Sequence, residues 1–116
     1  MVQADTICLG IDLGTTMTVV WAYTANGPEI VLNRRTGGRQ TPSRVYFDPQ
    51  TGKPHVGGKP NKIFDQNEVQ RTVDNTKRFI GRYWYDPVVV DLASHLNYVL
   101  VQDSEHRPMI RMQVSG

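Results

Sequence analysis

The chain has 116 residues, 39% of them hydrophobic and 21% charged, with a formal net charge of +2. This length supports one domain or part of one, and the composition excludes intrinsic disorder, which needs fewer apolar residues or a larger net charge. The small charge gives no indication of nucleic-acid binding, and no apolar stretch approaches the roughly 20 residues of a membrane span, so neither partner is expected.

The first third of the chain predicts an antiparallel meander. An apolar, β-branched run followed by a glycine indicates a buried strand, and a Gly-Thr-Thr turn leads into a second strand. Asn26 and Gly27 then predict a hairpin turn into a third strand. These three strands are predicted at residues 6–13, 18–23 and 29–32.

The single cysteine, Cys8, bears on the cellular compartment. It has no partner for an internal disulfide, so nothing indicates an oxidising environment. The N-terminus lacks the basic region and long apolar stretch of a signal peptide. We therefore expect a cytoplasmic location and inert packing of Cys8 inside its strand.

The rest of the chain predicts short strands, short helices and one more hairpin. A polar loop at residues 33–43 carries several arginines and no acid. Further strands are predicted at residues 44–47, 55–57, 97–102 and 109–114, and helical segments at residues 60–68 and 86–92. This order indicates a mixed α/β layer structure.

Residues 10–16, Gly-Ile-Asp-Leu-Gly-Thr-Thr, form the motif most informative about chemistry. An acid at a strand end, here Asp12, is costly unless it is exposed at a cleft or paired. Gly14 lets a ligand approach the backbone closely, and a turn whose amides converge makes a concavity for an anion. A carboxylate beside phosphate suits Mg²⁺. The motif predicts a hairpin that grips nucleotide phosphates; the alternative is an ordinary hairpin.

This motif resembles the first phosphate loop of the superfamily that contains actin, sugar kinases and heat-shock chaperone ATPases. Three further segments resemble the seventy-kilodalton heat-shock (DnaK-type) chaperone family, in its order and near its spacing. Residues 41–47 are similar to the family's Thr-Pro-Ser-x-Val-x-Phe, and residues 75–82 closely resemble its Lys-Arg-Leu-Ile-Gly-Arg. Val56-Gly57 followed by Lys59 is loosely similar to its Ile-Gly-x-x-Ala-Lys region.

The resemblance implies an actin-like ATPase fold of the α/β class, with a ribonuclease H-like mixed sheet and flanking helices. Residues 1–116 would be the N-terminal portion of the nucleotide-binding domain, an incomplete first lobe without the remaining lobes or the peptide-binding domain. The full-length protein would hydrolyse ATP to control the binding of unfolded peptides. Its partners would include J-domain co-chaperones and nucleotide-exchange factors. For the chain alone we expect weak or absent nucleotide binding and negligible hydrolysis.

The resemblance also implies a role for each matching residue, with ATP or ADP and Mg²⁺ as cofactors. Asp12 would hold Mg²⁺ through water, and Lys77 would reach the γ-phosphate and the attacking water, which makes both catalytic. A compact positive charge suits phosphoryl transfer, which needs positioning and electrostatic stabilisation. The cofactor-binding residues would be Gly14, Thr15, Thr16 and Met17, with Thr15 near the γ-phosphate.

The chain departs from the family directly after the two threonines of the motif. Met17 stands where the family usually has an aromatic residue, often tyrosine, so nucleotide affinity or orientation is expected to differ. Arg78 and Arg82 are interpreted as structural ion-pair or interdomain residues.

Two alternative functions stay open: a sugar or metabolite kinase of the same superfamily, and a non-enzymatic module that self-associates.

Overall fold

The computed structural model describes residues 6–58 and 69–112. The chain divides into two compact units, Met1–Ser43 and Arg44–Gly116. The helical segment predicted at residues 60–68 lies outside the described residues, as does the end of the strand predicted at residues 109–114.

The first unit is a four-stranded antiparallel sheet, which confirms the predicted meander. Strands β1, β2 and β3 lie side by side in chain order, and the short β4 pairs with the first two residues of β2. The β2–β3 turn is closed where the Thr24 hydroxyl donates to the Gly27 carbonyl at 3.1 Å. The strands are β1 (Cys8–Leu13), β2 (Met17–Thr24), β3 (Gly27–Ile30) and β4 (Thr41–Pro42).

The prediction that the first strand is buried is wrong. All six residues of β1 are exposed; Leu9 is 58% and Ile11 is 64% accessible. The reason is that, among the described residues, β1 is an edge strand that pairs with β2 alone, and these residues cover neither of its faces. Cys8 is exposed with the rest of the strand, so the prediction of inert packing is also wrong.

The second unit contains two small antiparallel sheets, a 3₁₀ helix and one α-helix among its described residues. In one of these two sheets β5 lies between β6 and β7. In the other, β8 and β9 form a hairpin, as predicted. The elements are β5 (Val45–Phe47), β6 (Pro54–Val56), β7 (Thr72–Val73), the 3₁₀ helix (Thr76–Arg78), α1 (Pro87–Ala93), β8 (Val99–Gln102) and β9 (Pro108–Arg111).

The hydrophobic core of the described residues lies in the second unit. Helix α1 supplies Val89 and Leu92, which are almost fully buried, and the hairpin supplies Leu100. The Tyr98 hydroxyl donates a hydrogen bond to the carbonyl oxygen of Asp74, which ties the start of the hairpin to the segment after β7. The core cluster consists of Val73, Phe79, Val89, Leu92, Tyr98 and Leu100.

Helix α1 begins at Pro87, directly after Asp86 and within one residue of the predicted start. The Asp86 carboxylate accepts the Val88 amide at 2.8 Å, and Pro87 occupies the first turn, where no amide donor is needed. That backbone hydrogen bond, followed by the hydrogen bond from Arg82, lowers the pKa of Asp86 below its ordinary value. The Arg82–Asp86 ion pair, at 3.0 Å, confirms a structural ion-pair role for Arg82.

All strand pairings among the described residues are antiparallel. The parallel part of a mixed sheet is therefore not formed by residues 6–58 and 69–112. Parallel neighbours need a crossover connection of about a dozen or more residues, usually a helix, and the described helix α1 leads instead into a hairpin. Within the same residues, no helix has the length and apolar character required to cross a bilayer.

Candidate functional site

The turn between β1 and β2 places the predicted phosphate-binding residues together at one end of the first sheet. Leu13 pairs with Thr18, which leaves Gly14, Thr15 and Thr16 in the connection before Met17 begins β2. The Gly14 amide donates to the Met17 carbonyl at 3.1 Å and closes this connection. The structure therefore gathers five of the six predicted site residues, including Asp12 two residues before the glycine, on one hairpin.

Gly14 is required by the shape of the turn. A Cβ atom built on this residue would collide with the carbonyl oxygen of Met17, the same atom that accepts the Gly14 amide. Backbone atoms cannot move aside as a flexible side chain does, so a larger residue would open the turn. Gly10, on the same strand, has no atom within 4 Å of its Cβ position.

The two threonines of the turn present unused hydrogen-bond donors. Thr15 and Thr16 are exposed, and neither their amides nor their hydroxyls donate to another described residue. The donors of Thr15 and Thr16 are therefore available to an external acceptor, such as an anion bound at the turn.

Asp12 supplies the negative charge of the site. It pairs with Val19 across the hairpin, it is exposed, and its carboxylate makes no hydrogen bond or ion pair with another described residue. The described residues contain no group of three or more His, Cys, Asp or Glu side chains that could hold a metal ion. Asp12 is therefore an exposed carboxylate that is open to an external cation, and Mg²⁺ is commonly bound by one or two carboxylates with water and phosphate oxygens as its other ligands.

The Thr41-Pro42-Ser43 segment contacts the turn between β1 and β2 and the start of β2. The Ser43 amide donates to the Thr16 carbonyl at 2.9 Å, and the Ser43 and Thr18 hydroxyls are 2.7 Å apart. Pro42 pairs with Met17 in the register of β4, and Met17 is 41% accessible. The sequence indicates this segment only as a family signature, and its contact with the turn is a structural feature that sequence reasoning misses.

Lys77 lies in the second unit, on the 3₁₀ helix. The backbone enters this helix through Asn75 in the left-handed region (φ 57°), which asparagine tolerates better than most residues. Phe79, two residues after the lysine, is buried in the core with 6% accessibility. Anchored at that ring, the short helix leaves Lys77 and Arg78 exposed.

The first unit is an antiparallel sheet whose first hairpin contains the Asp-x-Gly-Thr motif of residues 12–15. The family model for Hsp70, described as "Hsp70 protein", matches residues 8–116. The match spans both units, and the chain belongs to the Hsp70 family. This family is one of molecular chaperones whose nucleotide-binding domain has the actin-like ATPase fold and generally binds ATP or ADP with Mg²⁺.

Proposed function

We propose that residues 12–16 form the phosphate loop of a chaperone nucleotide-binding domain and that they bind ATP or ADP together with Mg²⁺. One observation carries this proposal: the unused amide and hydroxyl donors of Thr15 and Thr16 lie in the turn that directly follows the strand with the exposed Asp12 carboxylate. Family membership favours this function over the sugar or metabolite kinase.

Each residue of the hairpin contributes a different part of phosphate binding. Thr15 and Thr16 donate hydrogen bonds to phosphate oxygens, with Thr15 nearer the γ-phosphate. Asp12 accepts hydrogen bonds from water bound to Mg²⁺, and the ion neutralises charge on the phosphates when it is bound. Gly14 keeps the turn closed, and Ser43 fixes the Thr16 carbonyl so that the turn keeps its shape.

Lys77 is proposed as the catalytic cation on the strength of the Lys-Arg-Phe-Ile-Gly-Arg signature at residues 77–82. A lysine ammonium is a compact charge that can hold a γ-phosphate oxygen and orient the attacking water. In a full-length chaperone, hydrolysis would control unfolded-peptide binding, with J-domain proteins and exchange factors as partners.

The isolated chain is expected to bind nucleotide weakly and to hydrolyse it negligibly. The turn is exposed, so a bound phosphate would compete with water for every hydrogen bond, and each such exchange contributes only about 1 kcal/mol. The expected dissociation constant is therefore on the order of 1 mM, which corresponds to about 4 kcal/mol of binding free energy.

The test is a titration of the ¹⁵N-labelled chain with MgATP, followed by NMR. We expect saturable shifts of the Gly14, Thr15 and Thr16 amides that require Mg²⁺. Asp12→Asn should remove the Mg²⁺ requirement and weaken binding, because the carboxylate that holds the hydrated ion is gone.

Glu29→Gln is the matched control, since Glu29 is an exposed acid of the same sheet and loses the same charge. Binding unaffected by Asp12→Asn, or weakened equally by Glu29→Gln, would contradict the role of Asp12. Micromolar binding by the 116-residue chain would contradict its expected weakness.

A second candidate function is a non-enzymatic module that self-associates, and one observation favours it. No described residue of the first unit is buried, and the edge strand exposes apolar side chains. Unpaired apolar edges are templates for strand addition. Sedimentation of the chain distinguishes the two candidate functions. A monomer that binds MgATP supports the phosphate loop. A defined oligomer without nucleotide binding supports the self-associating module.

A further inference from the structure

A second feature of the first unit is the loop at residues 33–40, here called the basic loop. Residues 30–47 contain four arginines and no acid, and Arg34, Arg35 and Arg39 lie in the basic loop itself. All three are exposed. Arg34 and Arg39 make no hydrogen bond or ion pair with another described residue. Their guanidinium groups are therefore available to an external anion.

The basic loop is ordered by the side chain and backbone of Asn33. The Asn33 carboxamide oxygen accepts the amides of Arg35 and Thr36 at 2.9 and 3.2 Å, and its nitrogen donates to the Thr41 hydroxyl at 2.9 Å. The Asn33 amide and carbonyl also pair with Gly38 and Gly37. A loop fixed in this way loses less conformational entropy when its arginines bind a partner.

The surroundings of the basic loop indicate the chemistry of that partner. Val31 and Leu32, directly before the loop, are 44% and 51% accessible, so apolar surface adjoins the positive charge. Residues 24–45 contain no aromatic residue on which a base could stack, unlike the surfaces that bind single-stranded nucleic acid. The amides of residues 33 and 35–38 are already bonded within the loop, which leaves no nest of amides there for a phosphate group.

We propose that the basic loop is a docking surface for an acidic protein segment that carries an aliphatic side chain. Carboxylates of the segment pair with Arg34 and Arg39, whose planar forks match carboxylate geometry, and the aliphatic group packs on Leu32. This surface goes beyond nucleotide binding: it uses none of the residues of the phosphate turn and acts with or without nucleotide.

The experiment uses the full 116-residue chain, labelled with ¹⁵N, and a synthetic peptide of four glutamates, two leucines and four glutamates. We expect saturable shifts of the amides at residues 31–40. Arg34→Gln with Arg39→Gln should weaken binding by about two- to thirtyfold, the loss expected for two exposed charge pairs. Omission of the leucines from the peptide should weaken binding further.

The control variant combines Lys53→Gln and Arg111→Gln, which removes the same charge from exposed positions of the second unit. Equal weakening by this control shows general charge attraction and overturns the proposal, as does a peptide that shifts no amide of the basic loop. A ten-nucleotide oligothymidylate is the second ligand. Tighter binding of the oligonucleotide than of the peptide would also overturn the proposal and assign the surface to nucleic acid.

Discussion

At the scale of single residues, the shape of the turn between β1 and β2 depends on Gly14. The Met17 carbonyl oxygen both accepts the Gly14 amide and occupies the space where a side chain at position 14 would lie. The hydrogen bond and the steric limit therefore act at the same atom.

Gly14→Ala is predicted to open the turn. The collision with the Met17 carbonyl displaces the backbone and removes the hydrogen bond between them, which contributes about 1 kcal/mol. Amide hydrogen exchange at position 14 should become at least roughly fivefold faster. Gly10→Ala makes the same chemical change on β1 where nothing lies within 4 Å, and should leave exchange at the turn unchanged. Equal acceleration by both variants would contradict this explanation.

At the scale of elements, two buried aromatic side chains hold the helices and strands of the second unit together. Phe79 anchors the 3₁₀ helix that carries Lys77, and Tyr98 anchors the start of β8, where its hydroxyl donates to the Asp74 carbonyl. Burial, with a smaller contribution from the nearby Asp74 carboxylate, raises the pKa of Tyr98 far above its ordinary value of 10.0. The folded structure therefore contains Tyr98 in its neutral, protonated form.

Tyr98→Phe is predicted to destabilise the chain by about 1 kcal/mol at neutral pH, because the Asp74 carbonyl loses its donor. The pKa is raised in the folded state, so the contribution of Tyr98 is full below pH 10.0 and is lost as the pH rises above that value. The phenylalanine variant should therefore lose less stability between neutral and strongly alkaline pH than the unsubstituted chain. Urea unfolding at several pH values measures both effects.

The control for this experiment is Tyr83→Phe, which removes a hydroxyl from a tyrosine that is 67% accessible. Tyr83→Phe should change the free energy of unfolding little at neutral pH, and the loss of stability at alkaline pH should remain. If the two tyrosine variants behave alike, the buried hydroxyl of Tyr98 is not the source of the pH dependence.

At the scale of the whole molecule, burial is distributed unequally between the two units. All described buried side chains lie in residues 44–112, and none lies in residues 6–43. Backbone hydrogen bonds that lack a covering core open more readily. Amides of β8 and β9 are therefore predicted to exchange at least about tenfold more slowly than those of β1 and β2. Slower exchange at Val20 than at Leu100 would contradict this prediction.

The elements that sequence predicts well are those with a local cause. Asp86 and Pro87 start α1, the Asn26-Gly27 pair marks the β2–β3 turn, and alternating residues mark the β8–β9 hairpin, because capping and turn chemistry act over a few residues. The hairpin that gathers residues 12–17 was predictable for the same reason.

What the sequence does not predict depends on contacts distant along the chain. The apolar run of β1 has the composition of a buried strand, but burial requires a covering element that composition cannot reveal. The contact of Ser43 with Thr16 joins residues 27 positions apart and leaves no local pattern. For the same reason, the roles of Asp12 and Lys77 at a nucleotide remain predictions.

The bare sheet of the first unit also has a consequence for synthesis on the ribosome. Residues 6–43 emerge before residues 44–112 and can form their hairpins locally, whereas the buried residues that the structure describes all lie in the later segment. At roughly 5 to 20 residues per second, the second unit is completed several seconds later. During that interval the nascent chain exposes the apolar side chains of β1, so we expect aggregation of the nascent chain to begin at this strand.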